Sequence, residues 1–342
     1  MLKTAEAVSI GHPDKTADYI SSYILDRLIE QDPHVRYAVE VMIKGNTVIL
    51  GGEVSGKIPS PPLKDYVCAA LREIGYDERY HQIWQNQAID INQIQVINLI
   101  GLQSLEIAQG VNQNGWGDQG VFVGYACRGA NFINRELFLA KKLNQALYTL
   151  ARQSDHLGLD IKTQITINEQ GHITTAIVAI PMLQKEDLLP FICEVLGEVP
   201  DRIIINGTGT YQIHSSVADC GITGRKLACD FYSTACPIGG GSPWTKDPSK
   251  ADLTLNLYAR SLALDNLEDN DECFVYLSSC IGKSELPSAL IKTIKDGKES
   301  YREISINKGP NDLISLMGLD KPVYTKLCRN GIRAEIIGTF PQ

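Results

Sequence analysis

Residues 16–54 read TADYISSYILDRLIEQDPHVRYAVEVMIKGNTVILGGEV, and this stretch decides the fold. Ile20, Ile24 and Leu28 recur every four residues, which predicts a helix from Thr16 to about Gln31, ended by Asp32-Pro33. RYAVEVMIK and TVILGGEV flank Gly45-Asn46, the signature of a hairpin with a two-residue primed turn. A second helix, Leu63 to about Ile74, follows Ser60-Pro61-Pro62. The same order returns as a helix from about Asn134 to Gln153, a hairpin in KTQITINEQGHITTAIVAI (162–180), and a helix from about Lys185 to Leu196. It returns a third time, more weakly, as a helix over Ser249–Leu267, a strand in ECFVYLSS (272–279), and a short helix after Lys308-Gly309-Pro310. The leading helices start about 115 residues apart, one third of the chain, which reads as three similar α+β units with helices on one face of each sheet. Coincidence is the alternative, since helix–hairpin–helix is a common order. The units are expected over 1–111, 112–211 and 212–342.

The 342 residues are 44% hydrophobic and 21% charged, the balance of a globular chain with ample core. A net charge of −8 argues against a broad nucleic-acid-binding face. No long uninterrupted apolar run and no basic-then-apolar leader is present, so neither membrane insertion nor secretion is expected. The nine cysteines form no C-x-x-C pair, which fits a reducing compartment, and the six histidines show no zinc-ligand spacing. The cytoplasm is the expected location.

Several segments carry charge where a globular chain seldom does. Gly51-GEVS-Gly56-Lys57 imitates a phosphate-binding P-loop, but Ile58 stands where Ser or Thr is needed and prolines follow in place of a helix. GHPDK (11–15) opens the first helix, where free amides favour anions, and there gathers His12, Asp14 and Lys15. Alone it is equally a capped helix with solvated charges. With Gly45-Asn46 as the turn, Lys44 faces Thr47, Ala38 faces Glu53, and Glu40 faces Gly51. Glu40 and Glu53 then share one sheet face, where they either hold cations or meet solvent. Asp219 to Asp252 contains DCGITGRK, the Gly239-Gly240-Gly241 loop and KDPSKAD. Its cations Arg225, Lys226, Lys246 and Lys250, bracketed by Asp219 and Asp252, suit a polyphosphate with magnesium, or else form a mixed-charge surface loop.

GHPDK, GGE at 51–53, GDQG at 117–120, DCGITGRK and GGG…KDPSKAD together, in this order, resemble the methionine adenosyltransferase (S-adenosylmethionine synthetase) family. The resemblance covers almost the whole chain. It implies three α+β units around a pseudo-threefold axis, and a homodimer or homotetramer with active sites between subunits. It implies attack of the sulfur of L-methionine on C5′ of ATP, followed by cleavage of the expelled tripolyphosphate to pyrophosphate and phosphate. By resemblance, His12 and Lys162 stabilise charge on the leaving oxygen. Lys15, Asp160, Tyr211, Asp219, Arg225, Lys226, Ser242 and Lys246 bind ATP and its phosphates. Glu53, Gln109, Asp118, Asp219 and Lys250 bind methionine. Asp14 and Asp252 hold Mg2+, two ions per site, and Glu40 helps to hold K+. Ile10, Thr210, Ile238 and Pro243-Trp244 depart from the family's usual residues, and the Gln109–Asp118 connection is shorter than its gating loop. These departures leave open a second reading, a catalytically weakened homologue that binds ATP or methionine and regulates a partner subunit.

Overall fold

A computed structural model describes residues 1–55, 62–103 and 114–332. The chain runs through β1 (Lys3–Val8), α1 (Pro13–Ile29), β2 (Tyr37–Lys44), β3 (Thr47–Val54), α2 (Leu63–Ile74), α3 (Glu78–Trp84) and β4 (Gln95–Leu102). It continues with β5 (Gly120–Cys127), α4 (Arg135–Gln153), β6 (Lys162–Ile167), β7 (Ile173–Ala179), α5 (Leu189–Leu196) and β8 (Arg202–Ile205). The last third holds the short α6 (Ser215–Ala218), β9 (Gly221–Ile222), α7 (Leu227–Asp230), α8 (Ala251–Asp265), β10 (Glu272–Ser279), β11 (Ser288–Lys295), β12 (Lys298–Glu303), α9 (Pro310–Met317) and α10 (Tyr324–Asn330). The helices and hairpins expected from periodicity are present. Those expected at about 185–196 and 249–267 are shorter by a few residues, because chain ends near caps satisfy their polar groups outside the helix.

Among the described residues, three four-stranded sheets form, in the orders β4-β3-β2-β9, β8-β7-β6-β1 and β12-β11-β10-β5. Each is centred on one of the hairpins, and each borrows its outer strand from another third of the chain. β1 joins the second hairpin, β5 the third, and β9 the first, all antiparallel. This closed exchange gives the pseudo-threefold arrangement its physical content, since no sheet is complete within its own third. Each long helix covers a borrowed strand and its neighbour: α1 lies on β2 and β9, α4 on β1 and β6, α8 on β5 and β10. The sheets differ at the far edge. β4 and β8 run parallel to their neighbours, whereas β12 turns back antiparallel to β11.

Alternation builds the core. In β2, Tyr37, Val39, Val41 and Ile43 are buried beneath α1, while Glu40, Met42 and Lys44 face outward. The β2–β3 register is the one the turn demands: Lys44 opposite Thr47, Glu40 opposite Gly51, Ala38 opposite Glu53. Gly51 and Gly52 are strand residues here, not the start of a phosphate loop. Among the described residues, no helix is long and apolar enough to cross a membrane.

Candidate active site

The borrowed strands bring the charged segments together. Val8 at the end of β1 pairs with Lys162 at the start of β6, so the chain enters GHPDK beside Asp160 and Lys162. Ser9 reinforces the junction: its N–H donates to the Ile161 carbonyl (2.9 Å), and its hydroxyl to the Leu159 carbonyl (2.5 Å). Gly11 follows with its backbone pressed on Leu159, where a Cβ would lie 2.3 Å from the carbonyl oxygen.

His12 caps α1. The Asp14 amide donates to its Nδ1 (3.2 Å), which places the ring proton on Nε2. Burial lowers the His12 pKa to about 3, with the cations of Lys162 and Lys226 adding to the effect. The imidazole is therefore a neutral N–H donor at physiological pH.

Asp14 is buried and fully engaged. Its Oδ1 accepts from the Ile222 amide (2.9 Å), its Oδ2 from Lys226 Nζ (2.6 Å), and Arg225 Nε lies 3.5 Å from Oδ1. Burial pushes its pKa up, but Lys226 and the Ile222 amide outweigh burial and hold the carboxyl below its usual range. The close approach requires Gly221, whose Cβ would meet the Pro13 carbonyl oxygen at 2.2 Å. Asp160 completes this corner. Its Oδ2 accepts from the Ser215 amide (3.0 Å), and burial raises its pKa to about 6, opposed by Lys162 and reinforced by Asp219 and Asp14. The same carboxylate raises the Tyr211 phenol, which burial has already pushed up.

Two further groups flank the corner. Glu40 accepts from the Thr245 hydroxyl (3.0 Å) and from the Thr223 hydroxyl. Lys246 is ion-paired with Asp252, whose Oδ1 accepts from the Gly241 amide (2.7 Å). Lys246 also bridges to Ala38, so Lys246, Ala38 and Glu53 form one row across the sheet.

The structure thus gathers His12, Asp14, Asp160, Lys162, Asp219, Arg225 and Lys226 at the N-terminus of α1, with Glu40, Lys246 and Asp252 beside them. Lys250 caps α8 next to Asp252. Ser242 packs its Cβ against Gly224, and its buried hydroxyl has no partner among the described residues. Asp118 is exposed beside β5, its carboxylate accepting from the Gln119 amide (2.8 Å), and makes no contact with the cluster among the described residues. Gln109 lies outside the described residues. Lys15 is placed elsewhere than a phosphate ligand would be: its Nζ is buried between Asp18 (3.0 Å) and Asp230 (2.7 Å). Thr223, Thr245, Asp18 and Asp230 belong to the site's framework and went unnoticed in sequence. Asp18 lies one helical turn after Asp14, a spacing that could have singled it out; nothing in the sequence marks the other three.

Family models described as S-adenosylmethionine synthetase N-terminal, central and C-terminal domains match residues 1–105, 113–209 and 213–336. The chain belongs to the S-adenosylmethionine synthetase family. It is 31% identical to the S-adenosylmethionine synthase of Paramagnetospirillum magneticum, over 96% of this chain and 92% of that one. The synthase of Wolinella succinogenes is 32% identical, again over 96% and 92%. A solved structure described as an unusual S-adenosylmethionine synthetase from Campylobacter jejuni superimposes with a TM-score of 0.84 at 29% identity, covering 99% of this chain and 98% of that one. The three-unit α+β fold expected from the repeat is therefore the S-adenosylmethionine synthetase fold.

Proposed function

We propose that this protein is a methionine adenosyltransferase, forming S-adenosylmethionine from ATP and L-methionine and cleaving the tripolyphosphate to pyrophosphate and phosphate. The observation that carries the reading is His12, a buried neutral N–H donor at a helix N-terminus, flanked by Lys162 and Lys226. In the displacement, negative charge grows on the oxygen leaving C5′. A preorganised neutral donor and a lysine ammonium aimed at that oxygen lower the barrier without reorganising at the moment of reaction. Arg225, Lys226 and Lys246 supply the cations that hold the remaining phosphate oxygens. Asp160 and Tyr211 line the nucleoside side, while Glu53, Asp219 and Lys250 serve methionine.

The donor set fits magnesium. Asp14 and Asp252 offer hard carboxylate oxygens, one from each segment, the sparse protein ligation that Mg2+ accepts when phosphates complete its shell. Bound there, two Mg2+ ions would neutralise phosphate charge, and Lys226 and Lys246 would turn from their aspartates to phosphate. Glu40, with the Thr223 and Thr245 hydroxyls on its carboxylate, would hold K+.

The working unit is a homodimer or a larger assembly of such dimers in the cytoplasm. Ile222, Met42, Ile49 and Ile97 form one row across all four strands of the first sheet's outer face, and Leu99 adjoins it. Ile97 and Leu99 are 45% and 65% exposed, an apolar surface suited to a second copy. Glu40 and Glu53 share this face, so the partner would complete the site there.

Lys162→Met tests the chemistry. Turnover should fall about 100- to 1,000-fold, the usual loss for one oxyanion-type donor, with ATP binding retained. Unchanged turnover would refute the role of Lys162. The side chain is exposed, so folding is not at stake.

A further inference from the structure

The geometry points to Lys15 as a positioning residue, the hub of a buried ion cluster that sets the spacing of three segments of the site: the start of α1, the Arg225-Lys226 segment and the Lys246 loop. The inference rests on the transferase reading only for what those segments hold. The cluster itself stands on contacts.

Helix α1 straps the 221–226 segment in place with two carboxylates. Asp14 accepts the Ile222 amide, and Asp18 accepts the Gly224 amide (2.9 Å). These two carboxylates, one helical turn apart, hold the end of β9 at Ile222 and the left-handed turn at Gly224, and Arg225-Lys226 follow directly. Lys15 then ties the far side. Its Nζ donates to Asp18 Oδ2 and to Asp230 Oδ2, so both ends of the Arg225–Lys226 segment are fixed to one ammonium. Trp244 brings in the third segment: its Nε1 donates to the same Asp230 oxygen (2.8 Å), and its ring lies 5.2 Å from Lys15 Nζ. The Trp244 carbonyl accepts from the Ser22 hydroxyl (3.1 Å), and Thr245 and Lys246 follow directly.

Lys15 cannot serve phosphate without leaving two buried carboxylates unpaired, which is far costlier than the pairing it has. Burial opposes its charge, but Asp18 and Asp230 overcome burial and keep it protonated. Trp244, one of the departures from the family's usual loop, thereby acquires a role: it links the Lys246 loop to the helix that carries His12.

The test uses Asp18→Asn and Trp244→Phe in the full chain, since removing Lys15 itself would strand both carboxylates. Hydrogen exchange is followed over 221–226, and affinities are measured for Mg2+-tripolyphosphate and for methionine. In Asp18→Asn the amide side chain opposes a donor to Lys15, so exchange at 221–226 should speed up. Tripolyphosphate affinity should fall about ten-fold, with methionine affinity changing by less than about two-fold. Trp244→Phe keeps the ring but loses the indole donor. It should weaken tripolyphosphate by about three-fold and leave exchange at 221–226 unchanged. Folded Asp18→Asn with unaltered exchange, or with both affinities reduced equally, would overturn the positioning role. Should wild-type protein bind neither ligand, the transferase reading falls, and the exchange comparison alone still decides the strap.

Discussion

Asp160 and Gly11 show how single positions in the cluster carry measurable consequences. Burial lifts the Asp160 pKa from 3.8 to about 6, so between those values the folded chain binds more protons than the unfolded one. Stability therefore falls as pH rises through that window and the loss is complete above it. Asp160→Asn keeps an acceptor for the Ser215 amide and removes the charge. It should exceed wild type by about 1–3 kcal/mol at pH near 7.5 and show little advantage near pH 4, read from urea midpoints. An equal advantage at both pH values would contradict the assignment. Gly11→Ala forces a Cβ onto the Leu159 carbonyl, so it should cost about 1–3 kcal/mol and displace His12, seen as lower turnover in the folded fraction. At this scale the sequence was legible wherever a motif named the residue type. It did not show direction. Lys15 and Asp14 are neighbours in GHPDK, yet one helical step turns Lys15 into the interior, where Asp18 and Asp230, far apart in sequence, receive it.

Elements were legible when their partners were local. The β2–β3 register followed from a two-residue turn, and α1, α2 and α4 from their apolar period. β1, β5 and β9 escaped because each finds its partner in another third of the chain, and no turn announces the pairing. β4 escaped for another reason: its outward face is apolar, so QVINLIGL shows no alternation. α10 is likewise held from a distance. The Asp26 carboxylate on α1 accepts the Tyr324 and Thr325 amides (2.8 and 2.9 Å) and the Thr325 hydroxyl (2.6 Å), serving as a cap donated by another helix. Asp26→Ala should cost about 1–2 kcal/mol, as loss of a cap does, and expose 324–330 to proteolysis before the rest of the chain unfolds. Unfolding of that segment only together with the whole would argue against the cap.

At the scale of the molecule, the closed exchange of β1, β5 and β9 makes the three units interdependent, so the chain should unfold as one cooperative body and not third by third. The outer face of the first sheet extends the argument beyond one chain. Introducing charge through Met42→Lys with Ile97→Lys should shift the assembly toward monomer in sedimentation and lower turnover with it, while the core beneath stays intact. Retained assembly would remove that face from the account. The central claim remains the adenosyl transfer at the His12–Lys162 corner. Its most direct test is incubation of purified protein with ATP, methionine, Mg2+ and K+, with S-adenosylmethionine, pyrophosphate and phosphate quantified together. The account predicts equal amounts of all three; no S-adenosylmethionine from protein that binds ATP would contradict it.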